Sequence, residues 1–156
     1  MKKPSTAIKG ACGEHYVAAY LSGFDLIIAV PRAGIPGFDL LVSSDKGGHV
    51  IRLQVKTGAK YKGKYEGREI YLWRTSYAAI ERSDDEFLWY AYVGLNGWPS
   101  KENLPEVFFI PNKDVVACLK ECKAGNDWPC FWMYQDYAKK YKGELGLQSI
   151  FDALGT

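Results

Sequence analysis

No run of 18 apolar residues occurs anywhere in the chain, and the first residues, Met1-Lys2-Lys3-Pro4-Ser5-Thr6, carry no hydrophobic segment. The first absence excludes a membrane-spanning helix, and the second argues against a secretory signal. A cytoplasmic protein without membrane association is the expected default. The four cysteines contain no Cys-x-x-Cys pair, and only His15 and His49 are available to complete a zinc set. Val115, Cys118, Leu119 and Cys122 instead follow the i, i+3, i+4, i+7 stripe of an amphipathic helix. That spacing makes the thiols small buried hydrophobes rather than structural zinc ligands, with Cys12 and Cys130 far off in sequence. Internal repeats and linkers are missing too, so residues 1–156 read as one mixed α/β domain, large enough to bury a core without staples.

Excess charge of one sign is also missing overall: the net charge is +2. It is unevenly placed, however. Residues 56–74 hold Lys56, Lys60, Lys62, Lys64, Arg68 and Arg74 against Glu66 and Glu69, so this segment carries +4 and the rest of the chain −2. A local basic segment matters more for binding a polyanion than the total does.

Along the chain, residues 10–22 read as a helix with Glu14, Val17, Ala18 and Leu21 on one face and Gly23 as its stop. Phe24 to Val30 reads as a strand, ended by Pro31 and Pro36. Strands follow over 38–43 and 49–57, joined by the turn Ser44-Asp45-Lys46-Gly47-Gly48. Residues 60–68 read as a loop or ragged hairpin too glycine-rich to pack, and Glu69 to Trp73 as a strand. Ser76 starts a short helix to about Arg82. Residues 87–95 and 107–110 are strands, Asn112 caps a helix to about Lys123, and an aromatic, lysine-rich helix covers roughly 131–142 before a short terminal helix near 149–154.

The hairpin carries the chemistry. Gly37-Phe38-Asp39-Leu40-Leu41-Val42 and Ile51-Arg52-Leu53-Gln54-Val55-Lys56 are written for a buried sheet, yet they hold Asp39, Gln54 and Lys56. Buried polar groups are costly unless paired or bound to metal. Side chains alternate along a strand, so Ile51, Leu53 and Val55 form the core face and Arg52, Gln54 and Lys56 a polar row. A loop of two or four residues pairs positions whose numbers sum to 93, which sets Asp39 opposite Gln54, with Cβ atoms about 4.5–5.5 Å apart and Lys56 on the diagonal. Glu14 sits on the apolar stripe of the first helix. Alone it would suit the wet edge of that stripe; beside this hairpin it reads as a further oxygen donor, with Gly10 and Gly13 permitting the helix to approach the sheet.

The order Glu14 on a first helix, Phe38-Asp39 on a strand and Gln54-Val55-Lys56 on the next resembles the PD-(D/E)XK nucleases, which include restriction endonucleases and archaeal Holliday junction resolvases. The resemblance covers about residues 10–57, and more weakly the strands 87–95 and 107–110 with the helix after Asn112. It implies a restriction-endonuclease-like fold, a central mixed β-sheet flanked by helices. Two departures stand out: no proline directly precedes Asp39, Pro36 lying three residues earlier, and Gln54 occupies the place of the usual Glu or Asp. The amide lowers the negative charge of the site by one.

The resemblance further implies a catalytic set of Glu14, Asp39, Gln54 and Lys56. Mg2+, with Mn2+ as a substitute, would be held by Asp39, Glu14, the Gln54 side-chain oxygen and the Val55 carbonyl, and no organic cofactor would be needed. Lys56 would orient or help deprotonate the attacking water, or neutralise charge on the phosphate. DNA is the implied partner, with Arg52, Lys60, Lys62, Lys64, Arg68 and Arg74 as candidate backbone contacts and Tyr61 and Tyr65 as candidate stacking residues. Nucleases that cut both strands usually act as dimers, which leaves a homodimer open. Two other readings stand beside the metal-dependent endonuclease: a nuclease-fold module that binds nucleic acid without cutting, and a structural or assembly protein whose aromatic surface meets a partner.

Overall fold

A computed structural model of the chain describes residues 5–32, 37–99, 102–125 and 127–156; Pro36 lies outside them. Its centre is a mixed sheet of five strands in the order β1-β2-β3-β6-β7, formed by β1 (Leu26–Ala29), β2 (Leu40–Ser44), β3 (Ile51–Gly58), β6 (Leu88–Gly94) and β7 (Glu106–Pro111). The pair β3–β6 is parallel and the others are antiparallel. A second sheet, β4-β5-β8, combines β4 (Lys62–Tyr65), β5 (Arg68–Arg74) and β8 (Cys130–Tyr134).

Every residue of β6 is buried, and its alternation shows why. Trp89, Ala91 and Val93 face a core built with Val17 and Leu21 of α1 (Thr6–Ser22) and Leu147, Ile150 and Leu154 of α3 (Gly143–Leu154). Leu88, Tyr90 and Tyr92 face a second core, built with Val115 and Leu119 of α2 (Asn112–Ala124) and with Tyr71, Trp73, Phe131 and Met133 of the smaller sheet. A strand covered on both faces reads as a continuous apolar run, as this one does. Among the described residues, no helix is long and apolar enough to cross a membrane.

α1 begins four residues before the expected start because Ser5 caps it, its hydroxyl accepting from the Ile8 N–H. Of the two glycines expected to admit the helix to the sheet, only Gly13 does so. A methyl group at Gly13 would overlap the Thr57 hydroxyl on β3, whereas one at Gly10 would meet nothing. Gly13→Ala is therefore expected to destabilise the protein by about 1–3 kcal/mol, the usual cost of overpacking. A urea-denaturation midpoint equal to wild type would show that helix and strand are not in such close contact.

Four expectations are corrected. Residues 60–68, expected as a loop or ragged hairpin too glycine-rich to pack, form an ordered hairpin with the expected strand that follows: Tyr65 pairs with Arg68 across Glu66-Gly67, both at positive φ, the two-residue turn that suits strand twist. Residues 131–142 are not one helix. Phe131 and Met133 bury against β5 with period two, so 130–134 form a strand, followed by a 3-10 helix at Tyr137–Tyr141. The terminal helix starts at Gly143 rather than near 149. Asn112 does not cap α2; its buried side chain instead donates to the carbonyls of Arg82 (2.5 Å) and Asp85 (3.3 Å). The short helix after Ser76 is a 3-10 helix, Tyr77–Arg82, and Ser76 caps it as expected.

The two sheets are tied at Glu106. This partly buried carboxylate accepts from the Tyr61 hydroxyl and from the ammonium groups of Lys142 and Lys62, the last at 3.0 Å.

Candidate active site

The hairpin register is the expected one: Leu40 pairs with Leu53, Leu41 with Arg52 and Val42 with Ile51. The connection is longer than the two or four residues assumed. Pairing with β3 stops after Val42 while β2 stays paired with β1 through Ser44, and the following segment docks on the end of α3, where the His49 N–H donates to the Leu154 carbonyl at 3.2 Å.

Asp39 stands just before β2, at its junction with β3. Its N–H donates to the Leu53 carbonyl at 2.8 Å, a local bulge rather than a direct pairing with Gln54, and its Oδ2 accepts from the Val55 N–H at 2.7 Å. The two bonds bracket Gln54. Beyond Leu40 the first strand offers no ladder partner, and an unpaired interior N–H is costly. The carboxylate takes that place with a charge-assisted bond. Because the N–H and C=O of one residue leave a strand at the same edge, the Val55 carbonyl opens toward the same corner.

On β3, Ile51, Leu53 and Val55 are buried, while Arg52, Gln54 and Lys56 lie half-buried on the opposite face. In the amide orientation that satisfies its neighbours, the Gln54 nitrogen donates to the Gly37 carbonyl (3.3 Å) and its oxygen accepts from Lys56 Nζ (3.1 Å). Burial lowers the Lys56 pKa; Asp39 and Glu14 favour the ammonium, and Arg82 opposes it. On α1, burial and then the Asp39 charge raise the Glu14 pKa, with His15 and Lys56 pulling the other way. Asp39, Gln54 and Lys56 thus share one corner of the sheet, and Glu14 lies near enough on α1 for its titration to respond to Asp39 and Lys56.

Among the described residues, no three His, Cys, Asp or Glu side chains gather as a metal cluster. The corner holds two carboxylates, an amide oxygen and a backbone carbonyl. That all-oxygen set suits a hard divalent cation that keeps several of its waters, and a cation there would offset both the burial and the Asp39 charge that raise Glu14.

The candidate nucleic-acid contacts divide into two groups. Arg52 is ion-paired to Asp85 at 2.6 Å, Lys62 to Glu106, and Arg68 to Asp136 at 3.0 Å with its guanidinium 3.6 Å from the centre of the Tyr134 ring. Lys60, Lys64 and Arg74 are exposed, Arg74 lying 5.5 Å from the centre of the Trp128 ring. Tyr61 is corrected as a stacking residue: it is 3% exposed and hydrogen-bonded to Glu106. Tyr65 remains exposed, beside Trp132.

Sequence reasoning missed Arg82. Its Nη1 donates to the Gly37 carbonyl at 2.6 Å, and nothing in the pattern of Tyr77–Arg82 signals this, because the contact exists only once β3 and β6 are side by side.

The chain is similar to the solved structure of a bacterial homing endonuclease, I-Ssp6803I, with a TM-score of 0.60 at 15% sequence identity, covering 98% of this chain and 96% of that one. At such identity the likeness is one of fold. No protein-family model and no curated protein matches the sequence.

Proposed function

We propose that the protein is a divalent-metal-dependent endonuclease that hydrolyses DNA phosphodiester bonds, of restriction, resolvase or repair type and related to the PD-(D/E)XK enzymes. The observation that carries this reading is the corner itself: Asp39 held by Val55 beside a Gln54–Lys56 pair, with Glu14 close enough to feel both charges. The fold shared with a homing endonuclease supports it.

Asp39, Glu14, the Gln54 oxygen and the Val55 carbonyl would hold Mg2+ or Mn2+. When bound, the cation supplies a more acidic water and a polarised phosphoryl oxygen. Asp39 is fixed in place by its bond to the strand, so its free oxygen needs no reorganisation to act. Lys56, steadied by the Gln54 oxygen, presents its Nζ to the attacking water or to the charge developing on the phosphate. Burial, which lowers its pKa from the ordinary ammonium value, makes that proton easier to give up. Lys60, Lys64 and Arg74, free of carboxylate partners in the described structure, serve as backbone contacts.

The neutral amide at Gln54 and the limit of two carboxylates favour a second reading, a module of the same fold that binds DNA without cutting it. Incubation of the purified protein with linear, branched and single-stranded DNA in Mg2+ or Mn2+ separates the two. Nicking of at least one substrate is expected, and binding without nicking would replace the first reading by the second.

A further inference from the structure

We propose that Arg82 is a positioning residue of this site, holding the turn that carries Asp39 against Gln54 and Lys56. The inference deepens the nuclease reading and rests on it for its catalytic consequence.

The Gly37 carbonyl receives two donors from different elements: Arg82 Nη1 at 2.6 Å from the end of the 3-10 helix, and the Gln54 amide nitrogen at 3.3 Å from β3. The same Gln54 amide accepts from Lys56 Nζ with its other end. Arg82, Gly37, Gln54 and Lys56 therefore form one continuous chain of hydrogen bonds, and Asp39 lies two residues beyond Gly37. Gly37 is suited to this place for two reasons. Its φ is +105, in the left-handed region, and a Cβ built on it would lie 2.5 Å from Arg82 Nη1. The absence of a side chain is what admits the guanidinium.

Arg82 is itself anchored. Asn112, 2% exposed, donates to the Arg82 and Asp85 carbonyls, and Asp85 pairs with Arg52 on β3. The guanidinium thus projects from a fixed backbone onto the carbonyl of a turn that precedes, and is not part of, the sheet. A charged donor on that carbonyl is a stronger tether than a neutral one. The arrangement also explains why position 54 is an amide: a carboxylate there would set oxygen against the Gly37 carbonyl and donate nothing.

The test compares wild type with Arg82→Ala, Arg82→Gln and Arg82→Lys, after thermal melts confirm folding. In protein labelled at glycine carbonyls with 13C and uniformly with 15N, Arg82→Ala is expected to move the Gly37 carbonyl resonance and the Val55 amide together, with Arg82→Lys or Arg82→Gln restoring part of both. In cleavage assays, kcat should fall roughly tenfold, as expected for loss of one charge-assisted positioning bond, with KM changed less than about twofold. A Gly37 resonance that moves without Val55 would overturn the proposal, as would an unchanged kcat. The resonance readout needs no activity, so wild-type protein that fails to cut DNA would refute the nuclease reading while leaving the tether itself decided by the spectra. If Arg82→Ala does not fold, the Lys and Gln variants carry the same comparison.

Discussion

Lys56→Ala is expected to lower metal-dependent DNA cleavage by about 10²–10⁴-fold, the range for losing a positioned proton-transfer group, while leaving DNA affinity nearly unchanged. Lys56 Nζ sits at the Gln54 oxygen, half-buried, with Asp39 and Glu14 close enough to favour its charge. Removing it takes away the one ammonium at the corner. The exposed basic residues Lys60, Lys64 and Arg74 are left in place. Those residues supply the long-range attraction to phosphates, which scales with the number of neutralised charges. The check is a pair of measurements on one preparation: single-turnover cleavage, and binding in Ca2+ by fluorescence anisotropy. Parallel loss of cleavage and binding would show that Lys56 grips DNA rather than serving the reaction.

A large and pH-dependent loss of stability is expected of Glu106→Gln. Burial alone would raise this carboxyl, but bonds from Lys142, Tyr61 and Lys62 hold its pKa down at about 2, against 4.5 unperturbed. The sign follows from linkage. A carboxyl depressed on folding stabilises the native state fully above its unfolded pKa, and this contribution is lost as pH falls from about 4.5 through about 2. At 1.36 kcal/mol per unit, the ceiling is about 3 kcal/mol at neutral pH, and solvent screening of a partly exposed site reduces it toward about 2. That is a large share of the roughly 5–15 kcal/mol available to a small domain. Urea unfolding of wild type and Glu106→Gln at pH 7 should differ by this amount, with roughly half of the gap gone by pH 3. A gap independent of pH would mean that shape, not charge, makes the difference.

The effect is placed where the fold needs it. Glu106 begins β7, Lys62 begins β4, Tyr61 lies under the smaller sheet, and Lys142 leads into α3. One carboxylate thereby joins the central sheet to the elements on both of its sides. The hub explains why Lys62 and Tyr61, which the sequence offers as DNA contacts, are occupied elsewhere. A basic run shows where positive charge is, but not which residues already have carboxylates.

Local pattern was informative wherever its cause is local. Period-two alternation in 51–57, the cap at Ser76, the stop at Gly23 and the uninterrupted apolar run of 88–94 all follow from backbone geometry and burial within a few residues. The register of Leu40 to Val42 against Ile51 to Leu53 was legible for the same reason, since one slip would turn every side chain to the wrong face. Residues 131–142 do not follow their local pattern, because the helical spacing of Tyr134, Tyr137 and Tyr141 competes there with a strand pairing to β5. Packing of Phe131 and Met133 into the second core outweighs a propensity difference of a fraction of a kcal/mol per residue.

By itself, then, the sequence determined the mixed α/β class, the hairpin and the identity of the polar residues on it, because those rest on periodicity and on the cost of burying charge. Only the tertiary structure decided that the Asp39 carboxylate closes the Val55 N–H, that Gly37 rather than a side chain receives Gln54, and that Arg82 arrives at the same carbonyl. Each of these joins residues far apart in the chain through a hydrogen bond only a few ångström long. Hydrogen bonding of that kind depends on how sheets and helices finally stack, and no local pattern of residues encodes it.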